Sequence, residues 1–300
     1  MDHPLQAVTD LSGLWRFSVP DGPEELRQVP GSYDCVGDSR YVRILSLTPP
    51  APDHRLLLCF EGIAYEGTLC FNGTVLGQLL PYSPYEFDIT DLIHPGDNEI
   101  CLELKDLNAV FGPSEGWKSY SGIIRPVFLR EVPRRRINDV FFTYTLAPDY
   151  QRASCRIPCV LSMDCPGMVL EAELQQNGES VCRVQVPANG SVPELELPRP
   201  RLWSPDSPTL YTLSVRLLEC GVVADTVTQQ VGFRELKTRG SRFLLNGEDF
   251  FFLGVCRHDL WDDRNGFTMT DEMIEQDLRM IKSMGANYVR LVHYPHDRRG

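Results

Sequence analysis

Gly254-Val-Cys-Arg-His-Asp259, Thr270-Asp-Glu-Met-Ile-Glu-Gln-Asp-Leu-Arg-Met-Ile-Lys-Ser-Met-Gly285 and Asn287-Tyr-Val-Arg-Leu-Val-His293 read in turn as a strand end, a helix and a second strand. The helix carries its own punctuation. Thr270 can cap it, Asp271 and Glu272 suit its first turn, Lys282 suits its last, and Gly285 can end it. Ile274, Leu278 and Ile281 form one stripe at i, i+4 and i+7. Just upstream, Arg242 to Gly254 reads as a hairpin turning at Asn246-Gly247 and ending in a fully apolar strand. Strand, helix, strand is by default a right-handed βαβ unit. One helix over two parallel strands cannot close a sheet. The stretch from Asp249 to Gly300 also falls far short of the roughly 250 residues of a (β/α)8 barrel. The expectation is a chain that stops inside a domain.

Upstream of residue 232 the texture is different. Short apolar stretches are punctuated by 23 glycines and 23 prolines spread along the chain. Arg55 to Phe60 is β-rich by pattern. Thr68 to Phe71 and Thr74 to Leu76 flank Asn72-Gly73, a type I′ hairpin signal. In Asn98 to Leu104, Ile100, Leu102 and Leu104 share one face. No convincing amphipathic helix occurs here, so the first block reads as a β-sandwich or barrel. A break falls at Pro133-Arg-Arg-Arg-Ile137, where the three arginines suggest a linker. A second strand-rich block follows, with Met168 to Leu174, the turn Asn177-Gly178, Glu194 to Leu197 and Tyr211 to Leu217. Its size suits an immunoglobulin-like sandwich. The expected domains are 1–135, 136–234 and 235–300.

With 300 residues and 34.0 kDa, two or three domains are the prior. A net charge of −12 makes nucleic acid a poor partner. No apolar run approaches a membrane span. The N-terminus resembles no secretory signal, which favours the cytoplasm unless a signal has been removed. The ten cysteines include no Cys-x-x-Cys pair. Cys59, Cys70 and Cys101 lie in strand-like runs and read as buried reduced thiols. No zinc-type spacing appears. Asn72-Gly73-Thr74 and Asn189-Gly190-Ser191 match the glycosylation pattern but read better as turns.

Chemistry gathers at the carboxyl ends of the two parallel strands, the edge where such folds bind ligands. Arg257, His258, Asp259, Arg290, His293 and His296 all fall on that rim. His258 could equally bond Asp259 or a backbone carbonyl. Arg290 on an apolar strand calls for a buried carboxylate partner. His293 and His296 make a poor metal pair, because they follow a strand end beside a proline rather than share a helix face. Trp261 reads as packing before it reads as a ligand platform.

The ordered set of motifs is similar to the N-terminal three-fifths or so of glycoside hydrolase family 2, the β-galactosidase, β-glucuronidase and β-mannosidase group. Asp10-Leu-Ser-Gly-Leu-Trp-Arg-Phe17 resembles the family's opening strand. Phe71-Asn-Gly-Thr-Val-Leu-Gly77 resembles its Asn-Gly hairpin, and Ser121-Gly-Ile-Ile-Arg-Pro-Val127 its Gly-Ile-x-Arg-x-Val stretch. Leu202-Trp-Ser-Pro205, Pro208-Thr-Leu-Tyr211 and Val231-Gly-Phe-Arg234 resemble the end of its second domain. Phe243-Leu-Leu-Asn-Gly247, Gly254 to Asp259 and Gly285 to Pro295 resemble the opening of its barrel.

The resemblance implies a jelly-roll sugar-binding domain, an immunoglobulin-like domain and a TIM-barrel catalytic domain. It also implies retaining, exo-acting hydrolysis of terminal β-linked sugars by two glutamates that lie beyond residue 300. His258 and His293 match histidines that bond the sugar in the −1 subsite. Arg290 matches the arginine that orients the nucleophilic carboxylate and keeps it ionised. Arg257 and Asp259 fall in the same motif. Glu115 and Trp117 match a first-domain loop that reaches the site. Where the family commonly has Asn-Arg-His-Glu, this chain has Cys256-Arg-His-Asp259, a difference that bears on sugar specificity. No cofactor is expected; some relatives bind Mg²⁺, with ligands mainly beyond residue 300. The expected partner is a carbohydrate substrate, with assembly into a homo-oligomer left open. The competing expectation is a non-catalytic carbohydrate-binding or interaction module.

Overall fold

The computed structural model describes residues 2–34, 37–105, 120–261 and 266–299. It is built almost wholly of strands, with one α-helix, Asp271–Ser283, among the described residues.

The first block packs two sheets face to face. One runs Ala7–Asp10, Val127–Pro133, His54–Phe60, Tyr85–Asp88; the other runs Glu25–Val29, Gly13–Ser18, Ser39–Leu47, Gly96–Leu104, Gly67–Phe71, Thr74–Leu79. Strand pairs in both sheets run antiparallel. Alternation is the cause: Ile100, Leu102 and Leu104 turn inward onto Leu58, Phe60, Leu69 and Phe71. Trp15 is fully buried in this core and still satisfies its indole, donating from Nε1 to Leu11 O at 2.9 Å. Cys59 and Cys101 are buried reduced thiols, and Cys70 is half-buried. Burial pushes the Cys59 thiol up to about 12. On the outer face of the six-stranded sheet, Arg40 Nε covers Cys101, 2.9 Å from its Sγ.

The second block is also a two-sheet sandwich. Thr143–Leu146, Arg152–Arg156 and Glu194–Pro198 oppose Glu179–Pro187, Val169–Gln176, Tyr211–Glu219 and Val222–Val231. Ala153, Leu170, Leu213 and Phe233 share its core. The Asn-Gly turns have the backbone the sequence demands. Asn72 and Gly73, Asn177 and Gly178, and Asn246 and Gly247 all have positive φ, as a type I′ turn requires.

The three strands Leu236–Arg239, Arg242–Leu245 and Glu248–Phe250 follow. The hairpin therefore ends at Phe250, and the next strand, Gly254–Arg257, starts afresh. The expected single apolar strand through residue 253 does not form. Phe251 is 77% exposed in the connecting segment, so the run serves as a crossover and not as a core strand. Gly254–Arg257 pairs in parallel with Tyr288–Leu291. The helix between them begins at Thr270, whose Oγ1 accepts from Met273 N, and is followed by Gly285 at φ 82°. Of its apolar stripe, Ile274 is buried, Ile281 half-buried and Leu278 exposed.

The chain divides into two compact units. One holds Met1–Gln6 and Val132–Phe252; the other holds Ala7–Glu131 and Leu253–Gly300. The first sandwich and the βαβ segment thus belong to one unit. No helix among the described residues is long and apolar enough to cross a membrane.

Candidate active site

Side-chain alternation along Gly254–Arg257 builds the site. Arg257 Nε bonds Asp277 Oδ2 of the helix at 3.0 Å, so Arg257 and Val255 face the helix. Gly254 and Cys256 face the other way, and in register beside them lie Tyr288 and Arg290. Gly254 is needed there, because a Cβ would stand 2.7 Å from the Tyr288 ring. Cys256 and Arg290 are both exposed on this face. Among the described residues no carboxylate pairs with Arg290, so the buried partner expected for it is not seen.

One step further, the strand ends bring two histidines together. The His258 and His293 rings have centroids 5.5 Å apart at 73°. Tyr294 lies beside His258 at 6.0 Å. Partial burial draws the His258 imidazole below the ordinary histidine range; the neighbouring histidines add to the shift and Asp259 opposes it. A neutral imidazole both donates and accepts, which suits hydroxyl groups.

Beneath them lies a buried ionic network. Asp259, 1% exposed, takes Arg257 Nη1 on Oδ1 at 2.7 Å and the Asp297 backbone N–H on Oδ2 at 2.7 Å. His296 Nδ1 lies 3.1 Å from Asp259 Oδ1, and its Nε2 lies 3.0 Å from Val292 O. Arg125, from the first sandwich, brings Nη2 within 3.4 Å of Asp259 Oδ2. Arg299 Nη2 donates to Asp297 Oδ2 at 2.7 Å. Burial works to raise the Asp297 carboxyl, but the Arg299 hydrogen bonds and the charges of Arg299 and Arg125 together hold the group below its usual value. Each charge is costly to bury and each has a partner, the condition under which burial is tolerated.

An aromatic cluster seals one side. Tyr82 stacks on Tyr294 at 4.4 Å, and Tyr294 stacks on His296 at 5.2 Å. Phe267 meets Tyr82 and Tyr120 edge-on at 5.4 and 5.2 Å.

The sequence-derived candidates therefore separate. His258 and His293 come together, and Arg290 lies on the same face of the strand pair as Cys256. Arg257, Asp259 and His296 are committed to the buried network. Glu115 and Trp117 lie outside the described residues. Sequence reading assigned no role to Arg125, Asp277, Asp297, Tyr82 or Phe267. For Arg125 a signal existed: an arginine inside Ile123-Ile124-Arg125-Pro126-Val127 makes the same demand for a buried carboxylate as Arg290. Among the described residues no group of three or more His, Cys, Asp or Glu is arranged to hold a metal ion.

The family description "Glycosyl hydrolases family 2" matches residues 135–234, and "Glycosyl hydrolases family 2, TIM barrel domain" matches residues 236–299. Together they span more than half of the chain. The chain belongs to glycosyl hydrolase family 2. Its similarity to family 2 relatives runs along nearly its whole length. It is 30% identical over 299 residues to a beta-galactosidase of Streptococcus thermophilus, covering 93% of this chain and 28% of the relative. It is 29% identical to a beta-glucuronidase of Paenibacillus borealis, covering 98% of this chain and 56% of that protein. Among solved structures, an FMN-binding beta-glucuronidase from Facaelibacterium prausnitzii L2-6 superposes with a TM-score of 0.89 at 26% identity, covering 98% of this chain and 50% of that one. This family 2 chain thus spans between about a quarter and somewhat over half of the relatives' lengths.

Proposed function

We propose that this chain is part of a retaining, exo-acting β-glycosidase and contributes one wall of its sugar site. The observation that carries the reading is the His258–His293 pair at the carboxyl ends of adjacent parallel strands, 5.5 Å between ring centroids. In this reading the first sandwich is a jelly-roll sugar-binding domain, the second is immunoglobulin-like, and residues 235–300 open the catalytic barrel. His258 and His293 bond hydroxyls of the terminal sugar. Arg290, on the open face of the strand pair, holds the nucleophilic carboxylate ionised.

The two glutamates come from later barrel strands. One protonates the leaving oxygen, and the other attacks the anomeric carbon at about 5–5.5 Å separation, giving a glycosyl-enzyme that water then opens. The relatives' names direct the substrate search to β-galactosides and β-glucuronides. The test uses the full-length protein with chromogenic β-galactoside and β-glucuronide. His293→Ala is expected to lower kcat about 100-fold with an unchanged far-UV circular dichroism spectrum, because loss of a positioned sugar contact weakens transition-state binding. Unchanged kinetics would remove His293 from the site. Glycan binding without hydrolysis of any β-glycoside would favour the binding-module alternative.

A further inference from the structure

Arg125 belongs to the first sandwich, just before the strand Val127–Pro133, yet its guanidinium is spent on the two loops that carry the histidines. Nη2 donates to Pro295 O at 2.7 Å and lies 3.4 Å from Asp259 Oδ2. Nε lies 4.0 Å from Asp297 Oδ2. Nη1 donates to Tyr82 O at 2.6 Å, tying the fork back to the first sandwich. Asp259 directly follows His258, and Pro295 comes two residues after His293. The side chain is 4% exposed. Gly62 lines its path, since a Cβ there would stand 2.9 Å from Arg125 Cδ. A planar fork can hold acceptors on both loops at once, which a lysine ammonium cannot do in the same geometry.

We propose that Arg125 is a positioning residue that sets the spacing of His258 and His293, so that the first sandwich acts on the sugar site through one guanidinium. The inference rests on the histidines being the sugar contacts of the proposed β-glycosidase.

The test is made in the full-length protein with its best chromogenic β-glycoside. Arg125→Lys keeps charge and stem but loses the fork. Gly62→Ala keeps every charge and displaces the Arg125 stem. Arg125→Ala is assayed with and without low-millimolar guanidinium chloride. A misplacement of about 1 Å costs up to about 100-fold. Arg125→Lys is expected to lose about that factor in kcat/KM, with most of the loss in kcat, and Gly62→Ala roughly tenfold. Added guanidinium restores part of the Arg125→Ala activity and none of the His258→Ala loss. Should Arg125→Lys fail to fold, Gly62→Ala decides. Wild-type kcat and KM in Arg125→Lys or in Gly62→Ala would overturn the inference. If His258→Ala and His293→Ala are impaired while those two variants are not, positioning alone fails. If the histidine variants keep full activity, the site reading fails and the inference falls with it.

Discussion

His258 illustrates how one residue's surroundings set its chemistry. Burial and two nearby imidazoles disfavour its charged form, so its folded pKa lies below the 6.5 of a free histidine. The unfolded chain then takes up this proton first as pH falls. This group's contribution to stability is full above about 6.5 and is lost as pH falls through the folded pKa. An NMR titration of the His258 ring is expected to show a midpoint below 6.5, and a midpoint above it would contradict the burial assigned to this side chain. At this scale the sequence makes legible that His258 and His293 fall just past the ends of neighbouring strands. A partner that lies far along the chain is not legible. The rule that an arginine in an apolar run needs a buried carboxylate applies to Arg125 as well as to Arg290, for which no partner occurs among the described residues. Arg290 is exposed, while Arg125 meets Asp259 from 134 residues away. Spacing along a chain carries no information about such a contact.

Elements were legible where a local physical cause fixes them. Alternation gave the strand Gly96–Leu104 its buried face, and Thr270 gave the helix its cap. Three turns followed from Asn-Gly, whose residues tolerate positive φ. A fourth did not. Cys220-Gly221 joins Tyr211–Glu219 to Val222–Val231, and both of its residues have positive φ, at 50° and 81°. Cysteine is no turn former, so nothing in its identity announced the hairpin. Cys220→Asn should relieve that backbone and stabilise the protein by about 1 kcal/mol, read as a higher thermal midpoint. An unchanged or lower midpoint would contradict it. The run Phe250 to Leu253 misled for the opposite reason. Apolar composition predicts burial, but Phe251 and Leu253 are exposed in a crossover between two sheets.

The whole molecule is not organised in sequence order. The first sandwich shares a compact unit with the βαβ segment, although about 120 residues separate them, and the second sandwich holds the intervening strands and the first residues of the chain. Arg125, the aromatic cluster and the Ser32 Oγ that accepts from Phe267 N at 3.2 Å join the first sandwich to the strand-end loops within that unit. Local patterns gave two sandwiches and a βαβ unit, but this pairing depends on contacts between distant residues and was not legible from periodicity. The proposed chemistry belongs to this scale too, because in that proposal the histidines work together with carboxylates from other barrel strands. The most direct test is ¹H NMR of the anomer first released when the full-length protein hydrolyses an aryl β-glycoside. Retention predicts that the β-anomer appears first and mutarotates afterwards. Initial release of the α-anomer, or no hydrolysis of β-galactoside or β-glucuronide, would contradict a retaining β-glycosidase built on this site.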